Sequence, residues 1–282
     1  GSLADCAGNE WGRRVSDTRD PQIGDVPDAI RTAWLHGDHR RIDAALDNWR
    51  QQTHTPSLEY CLQRVYADSV FEHSTLDASV REAERLARAA GDQVALARIG
   101  ASVVDALYSD WRPSREARRW LDALRNVAFT RLQTLDLQPR LEIAAGILAA
   151  DLFGEALASA AQVADAVLPW VRDADAVSAT VRGNALGYGL EYFSGQRRWE
   201  PAQALVAAID QLYDDPGFGA VARARVSARR GFYYHYRRGD YAGALGQSIS
   251  AVTNAQAAGV QRAAREAGIT VSLCHLMRGE IV

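Results

Sequence analysis

Apolar and polar positions alternate along this chain with a helical period, most plainly between Ala228 and Gly259. Ala228, Phe232 and His235 recur at i, i+4 and i+7, and Tyr241, Leu245, Ile249 and Val252 repeat the pattern after a short break. The break, Arg237-Arg238-Gly239-Asp240, supplies cations for the last turn of one helix. It also supplies a glycine able to take the left-handed conformation beyond that turn, and an aspartate able to cap the next helix. Two helices joined so tightly run antiparallel, and each carries an apolar stripe wider than one partner can cover. Such a hairpin needs further hairpins beside it.

The junction recurs at Gly154, Gly195, Gly239 and Gly279, at spacings of 41, 44 and 40 residues. Weaker versions fall in step at Gly37, near Ser74 and near Trp111. A period of about 40 residues with two helices per unit predicts an α-solenoid. The expected fold class is therefore all-α, with six to seven antiparallel helix pairs. The pattern predicts helices over 25–36, 38–52, 57–73, 76–90, 93–109, 114–130, 140–153, 155–170, 175–194, 199–213, 218–238, 240–258 and 260–278. Pro56, Pro113, Pro139, Pro201 and Pro216 all fall at or near predicted helix starts, where proline is tolerated. Asp214-Asp215-Pro216-Gly217 reads as a turn. Residues 1–22 carry no periodicity and read as a flexible leader, with Gly1-Ser2 as a tag scar. Residues 23–282 read as one helical-repeat domain, excerpted from a longer protein. The stripe Ile269, Leu273, Leu276 and Met277 on the last helix is expected to be exposed for a following repeat or a partner.

Gly239-Asp240-Tyr241, followed by Ala244-Leu245 and Ala251, resembles the consensus of the tetratricopeptide-repeat superfamily. Gly154-Glu155-Ala156-Leu157 and Gly279-Glu280-Ile281 are weaker echoes. The period exceeds that family's 34 residues, and the usual proline after the second helix is missing. Longer, irregular helices and Ala89-Ala90-Gly91-Asp92 look more like the helical repeats of MalT-type bacterial transcriptional regulators. The resemblance implies a right-handed superhelix whose first helices line a concave face.

Composition narrows the function classes. The formal net charge of −3, with arginines and acids interleaved, lacks the strong basic balance of a dedicated nucleic-acid surface. No run approaches the roughly 18 apolar residues of a membrane span. All 32 basic residues are arginine, so the chain can hold neither the lysine of a Walker A loop nor a Schiff-base amine. Three cysteines, Cys6, Cys61 and Cys274, without a C-x-x-C pair suit a reducing cytoplasm. A Cys6–Cys61 disulfide in a periplasmic protein is the alternative.

The candidate chemistry competes with plainer readings. His36 and His39 straddle a turn glycine and do not share a helix face, so an interhelical turn explains them better than a metal site. Cys274 and His275 are adjacent and point about 100° apart, which favours packing. Gly183 to Gly189 is glycine-rich but lies mid-helix, where small residues let helices approach. Asp173, Asp175, Asp214 and Asp215 lie near helix N-termini, where the dipole favours them. The most informative patch is Phe232-Tyr233-Tyr234-His235-Tyr236 between arginine pairs. By the consensus register, Phe232 and His235 pack the two helices together. Tyr233, Tyr236 and Arg229 then face the concave side, with Arg182, Tyr192, Glu266 and Leu273 on neighbouring units. An arginine- and tyrosine-lined groove suits a carboxylate, a phosphate or a peptide; alternatively the tyrosines simply fill the superhelix interior. The expectation is a non-catalytic sensor or regulatory domain without cofactor or metal, contacting flanking domains and a small effector, with a homodimer through the last helix as a further possibility. A peptide-binding scaffold and the periplasmic sensor of a membrane-bound signalling enzyme are the alternatives.

Overall fold

The computed structural model describes residues 26–280 apart from 38, 54, 110–116, 156, 175 and 238. The leader, Cys6 with its possible disulfide, the Trp111 junction with Pro113, and Asp38, Ala156, Asp175, Arg238 and Ile281 lie outside the described residues. The described residues form fourteen helices and no strand. They are α1 (Asp28–His36), α2 (His39–Gln52), α3 (Leu58–Val70), α4 (Leu76–Ala90), α5 (Gln93–Ser109), α6 (Arg118–Arg125) and α7 (Phe129–Gln133). There follow α8 (Leu137–Leu152), α9 (Ala160–Arg172), α10 (Ala179–Gly195), α11 (Trp199–Leu212), α12 (Ala220–Tyr236), α13 (Tyr241–Ala258) and α14 (Gln261–Met277). No helix among the described residues is long and apolar enough to cross a membrane.

Helix ends follow local chemistry. Asp240 caps α13 by accepting from the Gly243 amide at 2.9 Å, and Ser57 caps α3 by accepting from Tyr60. Gly37, Gly154, Gly239 and Gly279 take positive φ at the expected junctions. Two junctions differ. Gly195 closes α10, and the left-handed residue there is Arg197; near Ser74 it is Glu72. The single helix expected over 114–130 is also corrected. Ala128 is extended at φ −58°, ψ 146°, and Val127 between α6 and α7 is buried, so the chain bends to place that valine in the core.

α3, α5, α8, α10, α12 and α14 pack against one another in series, and α4, α6, α9, α11 and α13 each pack on the helix before them. One buried apolar cluster runs through both layers from Ile30 to Ala263. The series also bends back on itself. α14 touches α5, and its second residue, Arg262, meets the end of α3: its backbone N–H donates to the Glu72 carboxylate and its Nη1 to the Ser69 carbonyl at 3.3 Å. On the other layer, the α1–α2 turn is pressed against the α11–α12 turn. A Cβ added to Gly217 would lie 1.8 Å from the Leu35 carbonyl oxygen, and one on Gly219 2.2 Å from that of Gly37.

Candidate functional site: a polar interior and its recess

The inner helices would be expected to meet through apolar side chains alone, yet each turns polar groups inward at helical spacing. These are Glu59, Gln63 and Tyr66 on α3; Arg98, Ser102, Asp105 and Ser109 on α5; Gln138 and Glu142 on α8; Asn184, Tyr188 and Glu191 on α10; Arg225 and Arg229 on α12; Glu266 and Thr270 on α14. Most of them fall into two groups, while the Tyr66 and Thr270 hydroxyls have no hydrogen-bond partner among the described residues.

The first group centres on Arg98. Its Nε donates to Glu142 at 2.7 Å and its Nη1 to Glu59 at 2.8 Å. Each carboxylate takes a further hydrogen bond from a glutamine one turn away, Gln63 to Glu59 at 2.8 Å and Gln138 to Glu142 at 2.9 Å. The result is a chain, Gln63–Glu59–Arg98–Glu142–Gln138, that ties α3, α5 and α8. Burial works against the Arg98 charge, but the two carboxylates outweigh it and hold the guanidinium firmly protonated. Gln63, Glu59, Arg98 and Gln138 of this chain floor a recess of about 460 Å³, with Glu142 behind them; its rim carries Arg31, Asp92, Arg131 and Asp136 and its walls include Leu58, Leu62, Val94 and Leu135. Gln63 is buried, and its Oε1 accepts no hydrogen bond among the described residues.

The second group lies deeper. Asp105 accepts from Arg225 Nη2 at 2.7 Å and from the Tyr188 hydroxyl, and Arg225 reaches Ser109 at 3.2 Å. Burial would raise the Asp105 carboxyl, but Arg225 and Arg229 hold it below its ordinary range. The Arg229 guanidinium lies 3.7 Å above the Tyr188 ring, donates to Asn184 at 3.3 Å, and stands 3.7 Å from both Asp105 and Glu191. Its stem fits because position 187 is glycine, where a Cβ would come within 2.9 Å of Arg229 Cδ. Glu191 accepts from the Tyr108 hydroxyl. Burial, and then the neighbouring charge of Glu266, push Glu191 up to about 7. Glu266, also raised by burial, has neither oxygen hydrogen-bonded among the described residues.

The six residues expected to line a groove do not share one. Arg229 and Glu266 come together in the interior. Tyr233 is buried against Trp199 and Tyr234, Arg182 pairs with Asp215, Tyr192 packs edge-on to Phe193, and Tyr236 is 56% exposed at the last position of α12. Leu273, Leu276 and Met277 are exposed on α14, with Ile269 half-buried beside them. Cys274 faces His235 at 4.0 Å rather than its sequence neighbour. Burial raises that thiol and lowers that imidazole, so neither is driven to its charged form. Cys61 is likewise buried with its thiol pushed up to about 11, by burial above all.

A separate cluster escaped sequence reasoning. Asp68, fully buried, accepts from Arg64 and His73 at 2.9 Å, from Thr75 at 3.0 Å and from Ser79 at 2.6 Å, and Arg64 and His73 both reach Asp43 on α2. It fastens α2, α3 and α4 around the turn that positions Glu72. Among the described residues no group of three or more His, Cys, Asp or Glu is arranged to hold a metal ion. The chain matches no family model, no curated protein and no solved structure.

Proposed function

We propose that this chain is a tetratricopeptide-like α-solenoid serving as a non-catalytic regulatory domain, of the kind found in MalT-type transcriptional regulators, and that it responds to a small effector. The carrying observation is the 460 Å³ recess with its floor of hydrogen-bonded, buried charge. Its volume lies within the range of small-molecule sites, about 300–1,000 Å³. Its floor joins three consecutive inner helices. An effector that draws on Glu59, Arg98 or Gln138 would therefore alter the angles between α3, α5 and α8, and small changes accumulate along a series of stacked units. Flanking domains would read that change. The reading fits a cytoplasmic protein, with a periplasmic sensor as the alternative.

A metabolite library screened by thermal shift tests it, on wild type and on Val94→Trp, which places a large side chain in the recess. The expected result is a compound that raises the wild-type midpoint and leaves the variant unmoved. A second reading, a scaffold for peptides or domains, rests on the exposed Leu273, Leu276 and Met277 of α14. It gains if no compound shifts the wild type.

A further inference from the structure

We infer that the effector of the recess is a small zwitterion, a free amino acid or dipeptide, with its ammonium on the floor and its carboxylate at the rim. The inference rests on the reading of the recess as an effector site and adds the ligand's chemistry. Two carboxylates, Glu59 and Glu142, meet one guanidinium, Arg98, so the floor carries one formal negative charge in excess. Beside it stands Gln63, only 2% exposed, with its Nε2 committed to Glu59 and its Oε1 accepting nothing. A buried carbonyl without a donor is a standing request for an N–H or O–H. An excess negative charge next to it makes a cationic N–H donor the better match than a neutral hydroxyl.

The rim offers both charges: Asp136 is exposed and caps α8 without a side-chain hydrogen bond, and across from it stands a cation. Arg131 is exposed there and pairs with no carboxylate among the described residues, while Asp92 is engaged in capping α5 through the Ala95 amide at 2.9 Å. A ligand carboxylate can take the Arg131 fork in bidentate fashion. The described residues lining the recess include no aromatic ring, so they offer no platform on which a sugar or a nucleobase would stack. Leu58, Leu62, Val94 and Leu135 offer instead an aliphatic wall for a side chain.

The probes are the common L-amino acids and a set of dipeptides, each beside its N-acetyl and its carboxamide derivative, titrated calorimetrically into the whole chain. At least one zwitterion is expected to bind, with its N-acetyl form at least about tenfold weaker and its carboxamide several-fold weaker. Gln63→Leu, which removes the unanswered carbonyl at similar volume, is expected to lose at least about tenfold in affinity while its own melting midpoint holds or rises. Arg131→Ala is expected to weaken binding several-fold with its midpoint unchanged. Equal binding of the N-acetyl form, or undiminished binding by a folded Gln63→Leu, overturns the inference. If Gln63→Leu fails to fold, the comparison of derivatives on wild type decides alone. A recess ligand without an amine, blocked by Val94→Trp, overturns the zwitterion and leaves the sensor reading standing. Absence of any recess ligand overturns both.

Discussion

Replacing Glu191 by glutamine is expected to stabilise the protein, and by an amount that grows with pH. Glu191 is buried at the centre of the inner helices, with Glu266 near it, and its carboxyl is raised from an ordinary 4.5 to about 7. Burial is the larger cause and the Glu266 charge the second; Arg229 and the Tyr108 hydroxyl pull the other way and do not prevail. Between pH 4.5 and 7 the folded state therefore holds a proton that the unfolded state has released, so stability falls as pH rises through that window. Below 4.5 both states are protonated and there is no penalty; above 7 both are ionised and the penalty is complete. A rise of 2.5 units corresponds to about 3 kcal/mol at pH 8, and to about 1 kcal/mol at pH 5.

Glutamine keeps the shape, still pairs with Tyr108 and has nothing to titrate. Any fixed cost of the amide beside Arg229 is the same at every pH and cancels between two pH values. Denaturant unfolding of wild type and Glu191→Gln at pH 5 and pH 8 therefore isolates the carboxylate. The variant's advantage is expected to be about 2 kcal/mol larger at pH 8 than at pH 5, several degrees in midpoint for a chain of this length. A stability difference that does not change with pH, or a variant that loses ground as pH rises, would refute the picture of an interior carboxylate short of positive charge.

Asp68→Asn is expected to cost about 2 kcal/mol, because Arg64 and His73 lose their fully buried acceptor and Arg64 keeps only Asp43 and the exposed Asp47 as carboxylate partners. The hydrogen bond that His73 donates to Asp68 raises the histidine's pKa, so its contribution is complete below its ordinary 6.5 and fades as pH rises through the folded value. Unfolding curves of His73→Gln should accordingly lack that alkaline decline. Gly217→Ala is expected to cost about 3 kcal/mol, since its Cβ would enter the Leu35 carbonyl and force two turns apart; hydrogen exchange in α1 and α2 should quicken. Gly91→Ala, left-handed but with open space around it, should cost only about 1 kcal/mol for its backbone.

Helix positions were legible because periodicity and caps act locally. The helix expected over 240–258 runs Tyr241–Ala258, and that over 76–90 runs Leu76–Ala90. The break at Val127 carried no glycine or proline to announce it; a buried valine, a tertiary demand, made it. The polar interior was written in the chain at i, i+3 and i+4, as in Arg98, Ser102 and Asp105 or Glu59 and Gln63. Nothing local distinguishes such a stripe from a solvated face, because which side becomes the inside is decided only when the series of helices bends back on itself. Arg229 and Glu266, expected on a groove face beside the tyrosines, are buried in the interior, while Tyr233 turns to Trp199 and Tyr236 stands at the helix end.

That bending-back makes Glu72 informative, because it carries two opposing effects of similar size. As a non-glycine residue at φ +61° it sits in a backbone region unfavourable by about 1–2 kcal/mol for L-residues. Its carboxylate accepts from the Arg262 amide at the start of α14, a capping contact worth about 1 kcal/mol. Glu72→Gly removes both, so the melting midpoint is expected to move little, and a midpoint alone would suggest an idle residue. The two effects act in different places, however. Relief of strain acts at the α3–α4 turn, whereas loss of the cap acts at α14, across the seam that seals Glu266 inside. Hydrogen exchange of the first-turn amides of α14 is therefore expected to accelerate about fivefold in the glycine variant, the kinetic counterpart of about 1 kcal/mol in local opening. Glu72→Gln, which keeps an acceptor at the same reach, should restore most of the protection. If α14 exchanges at the wild-type rate in Glu72→Gly, the contact with Arg262 does not hold the two ends of the series together.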